Sequence, residues 1–449
     1  MDIKKEYERW LENATADANV AAELKTLDNA KIEDAFYRDL AFGTGGLRGV
    51  IGAGTNRMNI YTVAKASQGL ADYLKKNFAE PSVAIGYDSR IKSDVFAKVA
   101  AGVFAANGVK VNIWPVLMPV PTVSFATRYL HTSAGVMVTA SHNPSKYNGY
   151  KVYGADGCQI TTEAAAEILA EIEKLDIFAD VKHSNFETGL VNGSIQYIPD
   201  EVYTAFVNEV KNQSVLFGEE VNKDVAIVYS PLNGTGLKPV TRTLKEMGYT
   251  NITVVKEQEQ PDGNFPTCPY PNPEIKEVMA LGMEYAKKRN ADLLLATDPD
   301  CDRVGILIAE IQESSNVTYR VYDYDRVDKN GKKRELHFDK AVQVMNMKVA
   351  PDVSQKPRMV KYYSGCSREL LCRCKYFETE RIQVTKGFAF SVMDTSFQIL
   401  MCLSGYGEVQ TMDAEQKPMR FSRGETLFLP AGLGRCLVVG DAELIKVRC

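Results

Sequence analysis

The sequence lacks several features that would place it in a broad class at once. No apolar run approaches the roughly 18 residues of a membrane helix, and four of residues 1–6 are charged, so we expect neither a span nor a secretory signal. The net charge of −4 predicts no binding to nucleic acid or to a membrane surface. Only four histidines are present, and nine cysteines at irregular spacings favour a reducing cytoplasm over disulfide bonds.

The 449 residues are enough for about three domains. The first 310 residues alternate apolar strands with amphipathic helices, which predicts βαβ units around mixed or mostly parallel sheets. The pattern restarts after a polar stretch near 211–223. We therefore predict two α/β domains, residues 1–205 and 206–310. The strand-like segments are 82–87, 109–114, 134–140, 224–230, 251–256 and 292–297.

After about residue 312 the pattern changes to short strands with turn signals every ten residues or so. This spacing predicts an all-β domain over residues 311–449. Gly405-Tyr406-Gly407 is interpreted here as a tight turn, and Asn330-Gly331 as another. No flexible linker separates the two sequence styles.

The first candidate motif is TASHNPSKYNGYKVYGADG at 139–157, directly after an apolar strand. Ligands bind at the carboxyl ends of strands in open α/β sheets, so Ser141 lies where a nucleophile would be useful. His142 belongs to the stiff turn that follows it, and Lys151 returns to the same edge of the sheet. The alternative is a polar turn without chemistry.

The second motif is DPDCDR at 298–303, again after an apolar strand. Asp298, Asp300 and Asp302 repel one another strongly unless a cation lies between them, and oxygen-only ligands suit Mg²⁺. A solvated acidic turn is the alternative.

The third motif, GTGGLRG at 43–49, fails the dinucleotide pattern because Arg48 stands where its last glycine belongs. A glycine-rich loop with an arginine suits close approach to a phosphate, and a simple turn is the alternative. Taken together, a serine, an acidic cluster, an arginine and a lysine describe phosphoryl transfer.

Residues 1–308 resemble the α-D-phosphohexomutases, and among them the phosphoglucomutases. The three motifs carry the resemblance, with GYDSR at 86–90 and PDGNFP…PNPE at 261–274. The resemblance implies that Ser141 is carried as phosphoserine. It also implies Mg²⁺ as cofactor, bound by Asp298, Asp300, Asp302 and a phosphoserine oxygen.

The same resemblance implies a reaction and further site residues. Glucose 1-phosphate and glucose 6-phosphate would be the substrates, with glucose 1,6-bisphosphate as activator. Arg48 and Arg303 match positions that neutralise the transferring phosphoryl group, and Lys151 matches one proposed for proton transfer. His142 is the neighbour of the serine in the family's signature.

Residues 309–449 resemble the C-terminal part of the type I mannose-6-phosphate isomerases, which are cupins. Segments 309–332, 334–341 and 424–432 carry this resemblance. That family binds Zn²⁺ upstream of the matching part, and His337 is the only histidine here, so we interpret it as a surface residue. Cys366, Cys372 and Cys374 are interpreted as shielded thiols rather than metal ligands.

Two elements of the phosphohexomutases have no counterpart in the sequence, namely the sugar-recognition loop and the Ser-Gly-Thr phosphate-binding loop. We hypothesise that two truncated genes are joined near 305–309. The functional alternatives are therefore an impaired phosphoglucomutase, a non-catalytic phosphoprotein that binds sugar phosphates, and a mannose-6-phosphate isomerase.

Overall fold

The chain divides into two compact units, Met1–Ile308 and Ala309–Cys449. The computed structural model describes residues 2–214, 221–306, 360–373, 377–412 and 417–448. No helix in these ranges combines the length and apolar character that crossing a membrane requires. Most of the predicted junction, the segments 309–332 and 334–341, His337 and Cys374 lie outside the described residues.

The first unit contains a seven-stranded mixed sheet. Its order is β1-β2-β6-β5-β3-β4-β7. The pairs β5-β3, β3-β4 and β4-β7 are parallel, and the pairs β1-β2, β2-β6 and β6-β5 are antiparallel. Almost every residue of β3 and β5 is buried, as expected for apolar strands covered on both faces. The strands are β1 (Phe42–Gly43), β2 (Gly46–Val50), β3 (Ser82–Tyr87), β4 (Lys110–Ile113), β5 (Ala134–Val138), β6 (Tyr147–Gly154) and β7 (Ile195–Tyr197).

Nine helices accompany this sheet in the described residues up to 214. In α4, the Asn59 side chain accepts the backbone N–H groups of Tyr61 and Thr62, and the Thr62 hydroxyl accepts that of Asn59. This capping box satisfies donors that the first turn leaves free. The helices are α1 (Ile3–Asn13), α2 (Ala18–Leu24), α3 (Asn29–Phe36), α4 (Ile60–Asn77), α5 (Ser93–Ala106), α6 (Val120–Tyr129), α7 (Thr162–Ile172), α8 (Phe186–Asn192) and α9 (Asp200–Asn212).

A second, four-stranded sheet lies in the same unit, in the order β11-β10-β8-β9. β8, β9 and β10 are parallel, and β11 is antiparallel to β10. The proline-rich loop at 261–274 contains no helix or strand. The elements are β8 (Ile227–Ser230), α10 (Leu237–Glu246), β9 (Ile252–Val254), α11 (Ala280–Arg289), β10 (Leu293–Thr297) and β11 (Val304–Ile306), with 3₁₀ turns at Lys256–Gln258 and Lys276–Met279.

Every regular element that the structure describes in the second unit is a strand. Together with the two α/β sheets, this confirms the predicted fold class. All strand pairs are antiparallel, in the order β12-β13-β14-β19-β16-β17, with β15 on β19 and β18 on β16. The strands are β12 (Val360–Tyr363), β13 (Cys366–Arg373), β14 (Glu378–Val384), β15 (Gly387–Val392), β16 (Gln398–Thr411), β17 (Met419–Ser422), β18 (Thr426–Leu429) and β19 (Gly434–Arg448).

The predicted tight turn at Gly405-Tyr406-Gly407 is wrong, because these residues lie inside β16. The register of β16 against β19 shifts between Cys402 and Ser404, which marks a β-bulge. Gly405 has a φ of 80°, and a Cβ there would lie 2.0 Å from the carbonyl oxygen of Asp441. The glycine therefore allows a bulge within a long strand.

Two glycines of the 43–49 motif are predicted to differ sharply in their tolerance of alanine. Gly46 has a φ of 71°, and its Cβ would lie 1.8 Å from the Tyr150 carbonyl oxygen, whereas a Cβ on Gly43 meets nothing within 4 Å. Gly46→Ala should therefore lower the free energy of unfolding by about 1–3 kcal/mol. Thermal denaturation of both variants tests this, and equal effects of Gly46→Ala and Gly43→Ala would contradict it.

Candidate active site

Two of the predicted motifs meet in the first unit at the carboxyl ends of parallel strands. Ser141 follows β5, and the three aspartates follow β10. The Ser141 Oγ donates a hydrogen bond to Asp298 Oδ2 at 3.0 Å. This contact joins residues 157 positions apart. The site is therefore built between the two sheets of the unit.

The backbone around Ser141 is held in an unusual conformation. Ser141 has a φ of 54°, in the left-handed region that few non-glycine residues adopt. Its backbone N–H donates to Thr139 Oγ1 at 2.9 Å. The same hydroxyl of Thr139 lies 2.7 Å from Asp88 Oδ2 and 3.1 Å from Asp300 Oδ2. The serine loop is thus tied to a buried polar network beneath it.

His142 is a neutral imidazole beside the serine. Its Nδ1 lies 3.2 Å from Ser141 Oγ. Burial, and then the nearby charges of Arg303 and Arg48, lower the pKa of His142 to about 4. The ring is therefore uncharged near neutral pH and can accept a proton.

The three aspartates form a cluster whose carboxylate oxygens lie within 4.8 Å of one another. Burial, and then the charges of Asp300 and Asp302, raise the pKa of Asp298 to about 9. Asp300 Oδ1 is buried and has no hydrogen-bond partner. A buried oxygen without a partner, in a group of three carboxylates, fits a small divalent cation with oxygen ligands.

Lys151 lies on β6 and reaches the same cluster. Its Nζ is 2.9 Å from Asp300 Oδ2 and 3.4 Å from Asp302 Oδ2. Burial alone would lower the pKa of Lys151, but Asp300 and Asp302 outweigh it and hold the pKa above its usual value. Lys151 is therefore a buried cation in this structure.

Arg48 and Arg303 lie at the edge of the site. Arg48 is on β2, opposite Gly149 of β6, and is exposed. The backbone N–H of Arg303 donates to Asp298 Oδ1 at 3.1 Å, and its guanidinium lies 3.6 Å from Glu274 Oε1. Both arginines act on the pKa of His142, so their positive charge reaches the serine loop.

Comparison with known protein families matches three segments of the chain. Phosphoglucomutase/phosphomannomutase α/β/α domain I matches residues 39–177, and domain II of the same family matches residues 204–310. This chain carries phosphohexomutase domains I and II. The cupin domain of mannose-6-phosphate isomerase matches residues 368–449.

Individual relatives agree with this assignment. The phosphoglucomutase of Staphylococcus saprophyticus is 38% identical over 66% of this chain and 53% of its own length. That of Staphylococcus haemolyticus is 38% identical over 61% of this chain and 50% of its own length. Among solved structures, a Thermus thermophilus protein assigned as a phosphomannomutase superimposes on 60% of this chain and 57% of its own. The TM-score is 0.51, and the sequence identity is 25%. The chain spans about half the length of its curated relatives.

Within the described residues, the aspartate cluster is the one group of three or more side chains that could hold a metal ion. Cys366 and Cys372 lie on β13 as free thiols. Cys366 is half-buried, but Cys372 is exposed, so the interpretation of Cys372 as a shielded thiol is wrong. They form no such group with the residues that the structure describes around them.

Sequence analysis missed the role of Arg90, the last residue of GYDSR. Its guanidinium donates to the backbone carbonyls of Ser141, Asn143, Pro144 and Tyr147. One buried side chain therefore satisfies four carbonyl groups of the serine loop. The motif itself was a signal, but the sequence does not show which atoms an arginine 51 residues away will bind.

The phosphohexomutase domain II packs against this arginine. The Arg90 guanidinium lies over the ring of Phe265, 5.0 Å from its centroid. A Cβ on Gly263 would lie 2.5 Å from the backbone nitrogen of Ile91. The proline-rich loop of domain II thus approaches the support of the serine loop too closely for a side chain at Gly263.

Arg90→Lys should loosen the serine loop. The single ammonium group of a lysine cannot reach all four carbonyls that the forked guanidinium of Arg90 binds. Each buried carbonyl left unpaired costs about 1–3 kcal/mol. We expect amide hydrogen exchange in residues 141–147 to accelerate by about tenfold or more. Arg57→Lys is the matched control, since Arg57 bonds the carbonyls of Asp34 and Asn56 instead. Unchanged exchange in 141–147 would refute the assignment.

Proposed function

We propose that the first unit is a phosphotransferase of the phosphoglucomutase type, interconverting hexose 1-phosphate and hexose 6-phosphate through a phosphorylated Ser141. The observation that carries the proposal is the hydrogen bond from Ser141 Oγ to Asp298 Oδ2, beside a neutral His142. A nucleophile, a proton acceptor and a cation site at one point are the components that phosphoryl transfer needs.

In the proposed reaction the bond between phosphorus and Ser141 Oγ breaks while a bond from phosphorus to a sugar hydroxyl oxygen forms. The proton of that hydroxyl passes to water, and Ser141 Oγ takes one from water through the imidazole of His142. The sugar bisphosphate then returns its other phosphoryl group to Ser141. Atoms balance over the two transfers, because the serine ends as it began.

His142 and Lys151 have different parts in this scheme. The neutral imidazole of His142 relays protons between Ser141 Oγ and water: it takes the Ser141 proton when the serine is rephosphorylated and releases it to water, and it passes a proton the opposite way in the other transfer. Lys151 contributes positive charge next to the transferring group, since its two aspartate partners keep it protonated. It becomes a base for the sugar hydroxyl only after losing that proton. Arg48 and Arg303 add charge at the rim.

Mg²⁺ is the cation that we propose for the site. Asp298, Asp300 and Asp302 would hold it, with an oxygen of the phosphorylated Ser141 as a further ligand. When bound, it would neutralise charge on the transferring phosphoryl group.

A second candidate function is a phosphoprotein that binds sugar phosphates without isomerising them. The chain matches its relatives over only about half of their length, so the substrate's non-reacting phosphate has no assigned binding loop. Loss of positioning alone can remove most of a catalytic rate.

A coupled assay distinguishes the two. We expect the chain to convert glucose 1-phosphate to glucose 6-phosphate in the presence of Mg²⁺ and a trace of glucose 1,6-bisphosphate. Ser141→Ala should lower the rate by at least about 1000-fold, because the nucleophile is gone. Ser145→Ala, in the same loop, is the matched control and should retain the rate. No turnover together with phosphorylation of Ser141, detected by mass spectrometry, would favour the second function.

The metal assignment has its own test. Asp298→Asn should weaken Mg²⁺ binding, measured by titration calorimetry, by more than about tenfold, since loss of a hydrogen-bond partner behind a metal ligand alone costs that much. Asp94→Asn, at an exposed position in the first turn of α5, should bind Mg²⁺ as the wild type does. Equal affinity of Asp298→Asn and wild type would exclude the aspartate cluster as the Mg²⁺ site.

A further inference from the structure

The second unit contains a cavity of about 420 Å³ with an unusual set of charges. Its charged walls come from β12, β13, β14 and β19. The lining cations are Lys361, Arg368, Arg373 and Arg448, and the lining carboxylates are Glu378 and Glu380. Four cations and two carboxylates leave an excess of two positive charges, in a chain whose net charge is −4. We call it the cationic cavity.

Strand register explains how charge reaches this position. Ile382 and Val384 of β14 belong to the apolar core of the second unit. Residues two apart on a strand share a face, so Glu378 and Glu380 continue the face of those core residues. Across the strand pair, Glu378 is opposite Arg448 and Glu380 is opposite Lys446. The cationic cavity is therefore a polar continuation of the apolar core.

The two carboxylates are more than neutralised. Glu378 pairs with both Arg373 and Arg448, and Glu380 pairs with both Arg368 and Lys446. One cation for each carboxylate would be enough to satisfy a buried glutamate. Neutralising the two buried glutamates therefore does not explain why each of them has a second cationic partner.

Two cations also occupy directly opposed positions on neighbouring strands, and among the described residues only one of the two, Arg368, is paired with a carboxylate. Lys361 on β12 is directly opposite Arg368 on β13, a cross-strand position where like charges are destabilising. The Arg368 Nε is buried and has no hydrogen-bond partner. Its guanidinium is nevertheless fixed, over the ring of Phe388 at 5.5 Å. Repulsion and an unused donor are therefore built into the wall of the cavity.

We propose that the cationic cavity binds a small molecule carrying a phosphate monoester. A dianion matches the excess of two charges, and guanidinium forks match phosphate oxygens. The volume exceeds that of a bare anion and lies within the range of small-molecule sites, and Tyr363 and Leu370 supply a less polar wall for the remainder of the ligand. This site is separate from the one proposed around Ser141 and does not depend on it.

Protection of Lys361 from acetylation tests the proposal on the full-length chain without Mg²⁺. The probes are inorganic phosphate, glucose 6-phosphate and gluconate, with modified lysines identified by mass spectrometry. At saturating glucose 6-phosphate we expect the acetylation of Lys361 to slow by about tenfold. Lys386, an exposed lysine of the same unit outside the cavity, should react unchanged. Because the readout is local, sugar phosphate bound elsewhere does not affect it.

A variant that removes the repulsion provides the second measurement. Lys361→Met orphans no carboxylate among the residues that the structure describes, so it should not lower the thermal midpoint of the chain, yet it should weaken glucose 6-phosphate binding at this site by about tenfold in calorimetry. A merely structural lysine would not separate these two effects. Arg420→Gln, at an exposed position of β17, is the matched control and should change neither.

The outcomes decide the proposal in either direction. Protection of Lys361 by both phosphate probes, with little by gluconate, supports a phosphate site, and stronger protection by glucose 6-phosphate supports the ester. Equal protection by gluconate overturns the assignment to a dianion. Absence of protection at Lys361, or unchanged binding in Lys361→Met, overturns the site itself.

Discussion

The repulsion among Asp298, Asp300 and Asp302 is the constraint around which the first unit is organised. Three carboxylates within 4.8 Å, two of them fully buried, cannot all ionise without compensation. Lys151 supplies one compensating charge from β6, and Ser141 supplies a hydrogen bond from the end of β5. Both come from the seven-stranded sheet, whereas the aspartates follow the four-stranded one. The ion pair of Lys151 and the hydrogen bond of Ser141 therefore connect the two sheets at the aspartate cluster.

Around that centre, support is indirect. Thr139 and Asp88 lie beneath the serine, and Arg90 holds the carbonyls of its loop. Burial raises the pKa of Asp88 more than the positive charge of Arg90 lowers it, so the pKa of this carboxyl group lies above its usual value. Phe265 closes over Arg90 from the other domain. These residues can thus support the proposed nucleophile without contacting its hydroxyl.

The second unit handles buried charge in a different way. Glu378 and Glu380 are each shared by two cations along strands β13, β14 and β19, and cation–π contacts fix two of those cations: Arg368 lies over Phe388 and Lys446 over Phe390. Burial opposes ionisation of Glu380, but Lys446 and Arg368 keep its pKa below the usual value. The first unit has too many carboxylates at its site, and the second has too many cations. The excess charge at the two sites therefore has opposite sign, negative at the aspartate cluster and positive in the cationic cavity.

Local patterns predicted what depends on local chemistry. The strand at 82–87 was predicted to the residue because its apolar run is buried on both faces, and the loop at 261–274 because proline cannot continue regular structure. Gly405 was mispredicted because a glycine serves a bulge as well as a turn. The bonds of Arg90 and the depressed pKa of His142 depend on residues distant in sequence, so no local pattern contains them.

The left-handed backbone of Ser141 has a consequence for the chemical identity of the proposed nucleophile. Serine and threonine hydroxyls are chemically similar phosphoryl acceptors, and at most surface sites they exchange freely. A β-branched side chain at a φ of 54° is a steric outlier, however, and Ser141 is buried with no room for the strain to relax outward. The backbone therefore selects between two alcohols that solution chemistry would treat alike. Evolution of this site toward threonine would first require a different loop.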